Sequence, residues 1–332
     1  MPLLSNITII IQIRVHGCVM RQEKQQNNAN LTSFKALCDE VFPASLHECQ
    51  VDERQVQLLK AVLTNAFRHS TQEAIYGKDD YIAHESLARP FGEDGQKFHI
   101  AEIAAACYDR GLHEVFDYLT CCVALENATD YPVTLNVSVT SIVSPEFCAK
   151  VEKKVKDHGL TPDDIVFEIL EHDVDPNVNT SHLREMKEKG FRFALDDFAK
   201  GQRDTDRLLA FGELVDYIKI DGPLVRAGLG DAHNDDGSKL KFKEADFHNV
   251  LGKINDYYCK HGSLVAPPLI AERVRTKDEV KRLFDMGFAG VQGRDLGKIA
   301  ADIFHYVKRQ NTPSDEASLG KDDAHAYTEL SF

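Results

Sequence analysis

The feature that most restricts the fold of this chain is a repeated pairing of apolar segments with polar ends. The segments VTLNV, IVFEI, FRFALDDF, VDYIKID, LIAE and AGVQG carry Asn136, Glu168, Asp196 with Asp197, Lys219, Glu272 and Gln292 at or near their downstream ends. Near-continuous apolar runs of this length suit strands covered on both faces, as in a parallel sheet. Burying a carboxylate at such a position is costly unless it meets a cation or a partner. In a TIM-like (β/α)8 barrel, parallel strands open their C-terminal ends on one face, where residues distant in sequence converge. The pattern predicts that α/β architecture, with a polar site at the barrel mouth.

The chain has 332 residues, 43% of them hydrophobic, enough for one large α/β domain with flanking pieces. Its net charge of −14 argues against affinity for a nucleic-acid polymer or an anionic membrane. Residues 1–50 are read as a leader and linker, 51–308 as the barrel domain and 309–332 as a disordered tail. The N-terminal ITIIIQI run is too short to span a bilayer, which needs about 20 apolar residues. The eight cysteines lack C-x-x-C spacing, so buried free thiols in a reducing cytoplasm are expected rather than a zinc site or a disulfide framework.

Along the chain, Val51 to Ala66 has helical spacing, and Phe67 to Arg89 reads as a hairpin turning at Gly77–Asp80. The first strand is therefore expected to run antiparallel to the others. Helices are predicted over Ile100–Tyr108, Leu112–Ala124, Pro145–His158 behind Ser144, His182–Lys189 behind Ser181, and Lys277–Met286 behind Thr276. Gly159, Gly190 and Gly287 supply their stops. Residues 226–245 interrupt the alternation and read as an inserted surface loop.

Glu85, Asn136, Glu168 and Asp196 offer only oxygen donors, which select hard cations such as magnesium, manganese or calcium. On an extended strand Asp197 would face away from Asp196, so a turn is expected there if both serve the site. A pair of cations sharing such acids suits phosphodiester hydrolysis. Lys219 among several acids could orient or help deprotonate water; a purely structural ion pair with Asp221 or Glu272 is the alternative.

The motifs HESLAR, TLNVS, VFEILE, ALDDF, YIKID, IAERV and VQG occur in this order. The chain in this respect resembles the EAL domains that hydrolyse cyclic di-GMP, over residues 50–308. The resemblance implies a bacterial second-messenger phosphodiesterase that opens the cyclic dinucleotide to linear pGpG, with Mg2+ or Mn2+ as cofactor, two ions in all. It implies that Glu85, Asn136, Glu168 and Asp196 hold one metal, and that Asp196, Asp197 and Glu272 hold the other. Lys219 would contact the attacking water and Asp221 would support the water network. Arg89 would hold a ligand phosphate, Leu87 would line the guanine pocket and Gln292 would complete the site. Glu171 resembles the acid that anchors the loop after the paired aspartates. A homodimer is also implied.

The chain departs from the family pattern in places. Ser86 stands where alanine is usual, and DDFAKGQRD replaces DDFGTGYSS. Arg273 and Arg275 replace the glycine and second glutamate of AEGVET; Arg275 could pair with Glu272 or reach a ligand phosphate. An EAL domain acting as a cyclic di-GMP receptor or protein-interaction module is the alternative function. A different magnesium-dependent barrel enzyme is the third.

Overall fold

The computed structural model describes residues 70–299 apart from 79, 91–96, 110, 173, 200–203, 235 and 263–265. The leader, the helix expected over 51–66, the boundary at 308 and the tail lie outside the described residues.

The hairpin strands are β1 (Ser70–Gly77) and β2 (Tyr81–Ala88), followed by α1 (Ile100–Tyr108) and α2 (His113–Asn127). Then come β3 (Val133–Val137), α3 (Val139–Ile142), α4 (Pro145–Asp157), β4 (Ile165–Ile169), α5 (Ser181–Glu188), β5 (Arg192–Phe198) and α6 (Asp204–Phe211). The rest are β6 (Tyr217–Ile220), α7 (Gly222–Gly228), α8 (Glu244–Lys260), β7 (Leu269–Ala271), α9 (Lys277–Asp285) and β8 (Gly290–Gln292). The strands close a barrel in chain order. As the hairpin reading anticipates, β1 is antiparallel to both β2 and β8, while the remaining pairs are parallel.

Period-two alternation explains how near-continuous apolar strands also build a polar site. One set of residues, including Leu135, Phe167, Phe193, Ile218 and Val291, packs outward in the large core shared with the helices. The intervening positions point into the barrel. There Ile75, Ala83, Val166, Ala194 and Ile270 form a separate small apolar cluster. Two residues downstream, on β2, β4 and β5 and just past the end of β7, stand Glu85, Glu168, Asp196 and Glu272. The barrel interior is thus an apolar floor under a polar ring. Gly290 belongs to the floor, where a Cβ would come within 2.5 Å of the Ile82 side chain.

The capping signals account for most helix starts. Ser144 accepts from Phe147 N–H at the head of α4, and Thr276 forms a reciprocal capping box with Glu279 at the head of α9. Ser181 differs: it lies inside α5, and Thr180 holds the N-cap position without a side-chain bond. The inserted segment is also shorter than its composition suggests, because Arg226 to Gly228 belong to α7 and Glu244 onward to α8. Of the described cysteines, Cys107, Cys121 and Cys148 are buried, as expected, but Cys259 is exposed on α8.

Arg226 explains why the segment after β6 is ordered at its start. Its buried guanidinium reaches Glu279 at 2.7 and 2.9 Å and donates to the Arg273 carbonyl at 2.6 Å, tying α7 to the β7–α9 connection. Burial alone would lift the Glu279 carboxyl, but hydrogen bonds from Arg226 and the Arg275 N–H, with both guanidinium charges, hold it at about 2. A depressed carboxylate stabilises the fold above its unfolded value near 4.5, and that stability is lost as pH falls toward about 2. Glu279→Gln is therefore expected to destabilise the protein at pH 7, with the difference from wild type shrinking at pH 3.5. Urea denaturation at the two pH values measures both.

Candidate active site at the barrel mouth

The polar ring is organised around Lys219, which is 1% exposed. Its Nζ lies 2.8 Å from Asp196 Oδ1, 2.9 Å from Glu168 Oε2, 3.0 Å from Glu272 Oε1 and 3.3 Å from Glu85 Oε2. The contact with Glu272 is thus one of four that Lys219 makes in a cage of carboxylates. Glu85 also accepts from Asn136 Nδ2 at 3.1 Å and from Gln292 Nε2. Asn136 and Glu168 are directly paired across β3 and β4, so register alone sets them side by side.

One ammonium among four carboxylates leaves an excess of negative charge in a poorly solvated place. Burial, reinforced by Glu85, lifts Glu168 to about 8 against the pull of Lys219. Burial also raises Glu272 well above the carboxylate range, with Asp196, Asp197 and Glu85 adding to it. Burial opposes the charge on Lys219, but the surrounding carboxylates outweigh it and raise its affinity for the proton. The second oxygen of Glu168, Oε1, is buried with no hydrogen-bond partner among the described residues. A ring of oxygen donors with surplus charge and an orphaned carboxylate oxygen fits a hard divalent cation.

The way Asp196 and Asp197 both serve the mouth differs from the turn expected from sequence. β5 continues through Phe198, but its pairing with β6 passes from Leu195–Ile218 to Phe198–Ile220, so β5 carries one extra residue. Asp197 takes up the bulge at φ +46°. Consequently Asp197 offers a carboxylate oxygen within 4.8 Å of oxygens from Glu171 and Asp196, and also of oxygens from Asp221 and Glu272. Both groups of acids could hold a cation, and Asp197 is common to them.

A cavity of about 460 Å³ opens beside these acids, lined by Leu87, Arg89, Tyr108, Phe116, Glu171, Asp196 and Asp197 among others. Arg89 is exposed at its edge, and Leu87 is half-buried. The Tyr108 hydroxyl donates to Asp117 at 2.7 Å, and the buried Asp117 accepts from Ser138 N–H at 2.8 Å. This fixes the cavity wall to the exit of β3.

Arg275 donates to Asp231 at 2.9 Å and Glu279 at 3.3 Å. It shares these acids with Arg226. Sequence reasoning missed Glu73 and Arg207. Glu73 pairs across the hairpin with Glu85, so the β1–β2 register would have placed it in the ring. Burial and the neighbouring Glu85 raise its carboxyl. Arg207 is 2% exposed although it reads as an ordinary charged helix residue. Its spacing from Asp204 was the available signal.

Among the described residues, three non-glycine positions at the mouth have left-handed backbones: Asp197 at φ +46°, Ala199 at +82° and Arg273 at +54°. Ala199 and Arg273 stand where the family pattern carries glycine. Arg273 fits because Gly222 leaves room for its stem; a Cβ there would lie 2.3 Å from Arg273 Cδ. Ala199→Gly and Arg273→Gly are each expected to stabilise the fold by about 0.5–1 kcal/mol, the relief of left-handed strain less the added unfolded-state entropy. Lys219→Met, by stripping the carboxylates of their shared cation, is expected to cost about 3–5 kcal/mol. Equilibrium urea unfolding in the presence of a chelator measures all three.

A family model described as the EAL domain matches residues 57–240. Among curated relatives, "Cyclic di-GMP phosphodiesterase PdeB" of Shewanella oneidensis is 26% identical over 175 residues, 51% of this chain and 18% of its own length. "Probable cyclic di-GMP phosphodiesterase PdeA" of Escherichia coli K12 is 26% identical over 95 residues, 28% of this chain and 13% of its own. The chain therefore spans less than a fifth of the length of these two relatives. Among solved structures, the FimX EAL domain from Pseudomonas aeruginosa bound to c-di-GMP is 19% identical with a TM-score of 0.51, over 73% of this chain and 94% of that one. An EAL domain protein from Listeria monocytogenes is 16% identical with a TM-score of 0.52, over 77% and 98%. At such identities the structural likeness is one of fold, and it agrees with the barrel. No helix among the described residues is long and apolar enough to cross a membrane. With the family model matched over more than half its length, and with the family's motifs converging on one barrel mouth, the chain belongs to the EAL domain family.

Proposed function

We propose that this protein is a divalent-cation-dependent phosphodiesterase that hydrolyses cyclic di-GMP to linear pGpG. The observation that carries the reading is the ring of oxygen donors at the barrel mouth, above all the buried, unpartnered Oε1 of Glu168 beside Glu85, Asn136 and Asp196. Magnesium or manganese would be held by Glu85, Asn136, Glu168 and Asp196, with Asp197, Asp221 and Glu272 as the second group and Glu171 adjoining Asp197. Bound there, such cations polarise a phosphoryl oxygen and ease deprotonation of water.

The chain's own residues supply the rest. Lys219 is fixed by its carboxylate cage and presents a protonated amine beside Glu272, where it can orient an incoming water. Arg89, exposed at the cavity edge, would hold a ligand phosphate, for which a guanidinium offers paired donors. Leu87 and the apolar wall behind it suit a flat purine, and the cavity volume of about 460 Å³ accommodates a nucleotide portion. Gln292 and Asn136 keep Glu85 aimed inward. Positioning and charge stabilisation would then provide most of the rate.

Lys219 favours a second reading. Its ammonium already sits within 3.3 Å of four carboxylates and offsets part of their charge without a metal ion, so the site could bind the dinucleotide as a receptor. Incubation with cyclic di-GMP and Mg2+ or Mn2+, followed by chromatography, separates the two. The hydrolytic reading expects pGpG with wild type and at least a 100-fold lower rate with Glu85→Ala. Tight binding without turnover at saturating metal supports the receptor and overturns the enzyme. The homodimer implied by the family resemblance is checked by sedimentation in the same buffers.

A further inference from the structure

The paired aspartates sit on a strained bulge, and the segment following it, 199–203, is where the chain departs furthest from the family pattern. Two side chains of α6 grip this bulge from behind. The Asp204 carboxylate accepts from the Ala199 N–H at 3.0 Å, holding a residue whose φ is +82°. One turn later the buried Arg207 donates through Nη2 to the carbonyls of Asp196 at 2.8 Å and Ile169 at 2.7 Å. Arg207 Nη1 and Asp204 Oδ1 are 3.5 Å apart, so the two grips are joined.

The contacts bracket Asp197. One fixes the backbone just before it, at Asp196, and the other fixes it two residues after. Ile169 follows Glu168 on β4, so the same guanidinium also ties the backbone beside that carboxylate to β5. A bulge removes residues from the regular strand pairing, and buried carbonyls there need another donor. A guanidinium can supply several from one rigid plane. Burial lowers its hold on the proton, and the neighbouring acids Asp204, Asp196, Glu171 and Asp197 offset part of that cost.

We propose that Asp204 and Arg207 form a clamp that sets the bulge so that Asp197 is shared between the Glu171–Asp196 and Asp221–Glu272 groups, making both of them positioning residues for cation binding. The proposal rests on the reading of these acids as a divalent-cation site, but the clamp itself has a metal-free signature. Ala199 should be protected from amide hydrogen exchange because its N–H is bonded to Asp204.

The test compares wild type, Asp204→Asn, Arg207→Lys and the control Asp206→Asn, each verified as folded by circular dichroism and thermal melting. In chelator, exchange at Ala199 is expected to quicken at least tenfold in Asp204→Asn and not in the control. Titration with Mn2+ alone, followed by electron paramagnetic resonance, is expected to show affinity weakened about tenfold in Asp204→Asn and Arg207→Lys. Unchanged exchange at Ala199, or Mn2+ affinity within twofold of wild type in both folded variants, overturns the clamp. Absence of Mn2+ binding to wild type overturns the cation-site reading and with it the clamp's positioning role; the exchange result then still reports whether the Asp204–Ala199 contact exists. If Arg207→Lys does not fold, Asp204→Asn alone decides between these outcomes.

Discussion

Everything at the mouth of this barrel depends on how a crowd of carboxylates is kept in a place with little water. Glu85, Glu168 and Asp196 from three strands, and Glu272 from the exit of a fourth, converge on a single ammonium, Lys219. Four such groups around one cation cannot all be ionised cheaply, and the raised carboxyls of Glu168 and Glu272 express that cost. The fold holds the repulsion in check by anchoring each group on a strand whose other face is locked into the main core. Rigid strands make the cluster persist, and its residual charge makes it receptive to cations.

The same constraint explains the division of the barrel interior. An apolar floor of Ile75, Ala83, Val166, Ala194 and Ile270 closes the barrel from below, so the ring above it is reached from the mouth. The strand period of two makes this simple, since one change of residue type per strand converts floor into site. The exception is β5, where two adjacent aspartates both serve the mouth. That required an added residue and a left-handed backbone, features that accumulate where function outweighs local comfort.

The departures from the family pattern also acquire physical meaning. Arg275, which as sequence threatened to reverse the field beside Glu272, is bonded with Arg226 to Asp231 and Glu279, in a network that fastens α7 to the loop after β7. Arg273 occupies a left-handed position by leaning its stem against Gly222. Ala199 does so with its amide held by Asp204. Each of these three substitutions is accompanied by a local contact that accommodates it.

The barrel, its antiparallel first strand and the convergence of Asn136, Glu168, Asp196, Lys219, Glu272 and Gln292 can be read from the order of residues alone. These are legible because strand period, helix caps and strand-end chemistry are local, and parallel closure carries local ends to a common face. Packing between distant segments sets the cage of four acids around Lys219, the sharing of Asp197 through a bulge, and the places of Glu73 and Arg207 beside the site. Cross-strand register fixes Glu73 opposite Glu85, and helix docking buries Arg207 under β4 and β5. Neither register nor docking is written in any single stretch of chain, because both are set by which surfaces pack together.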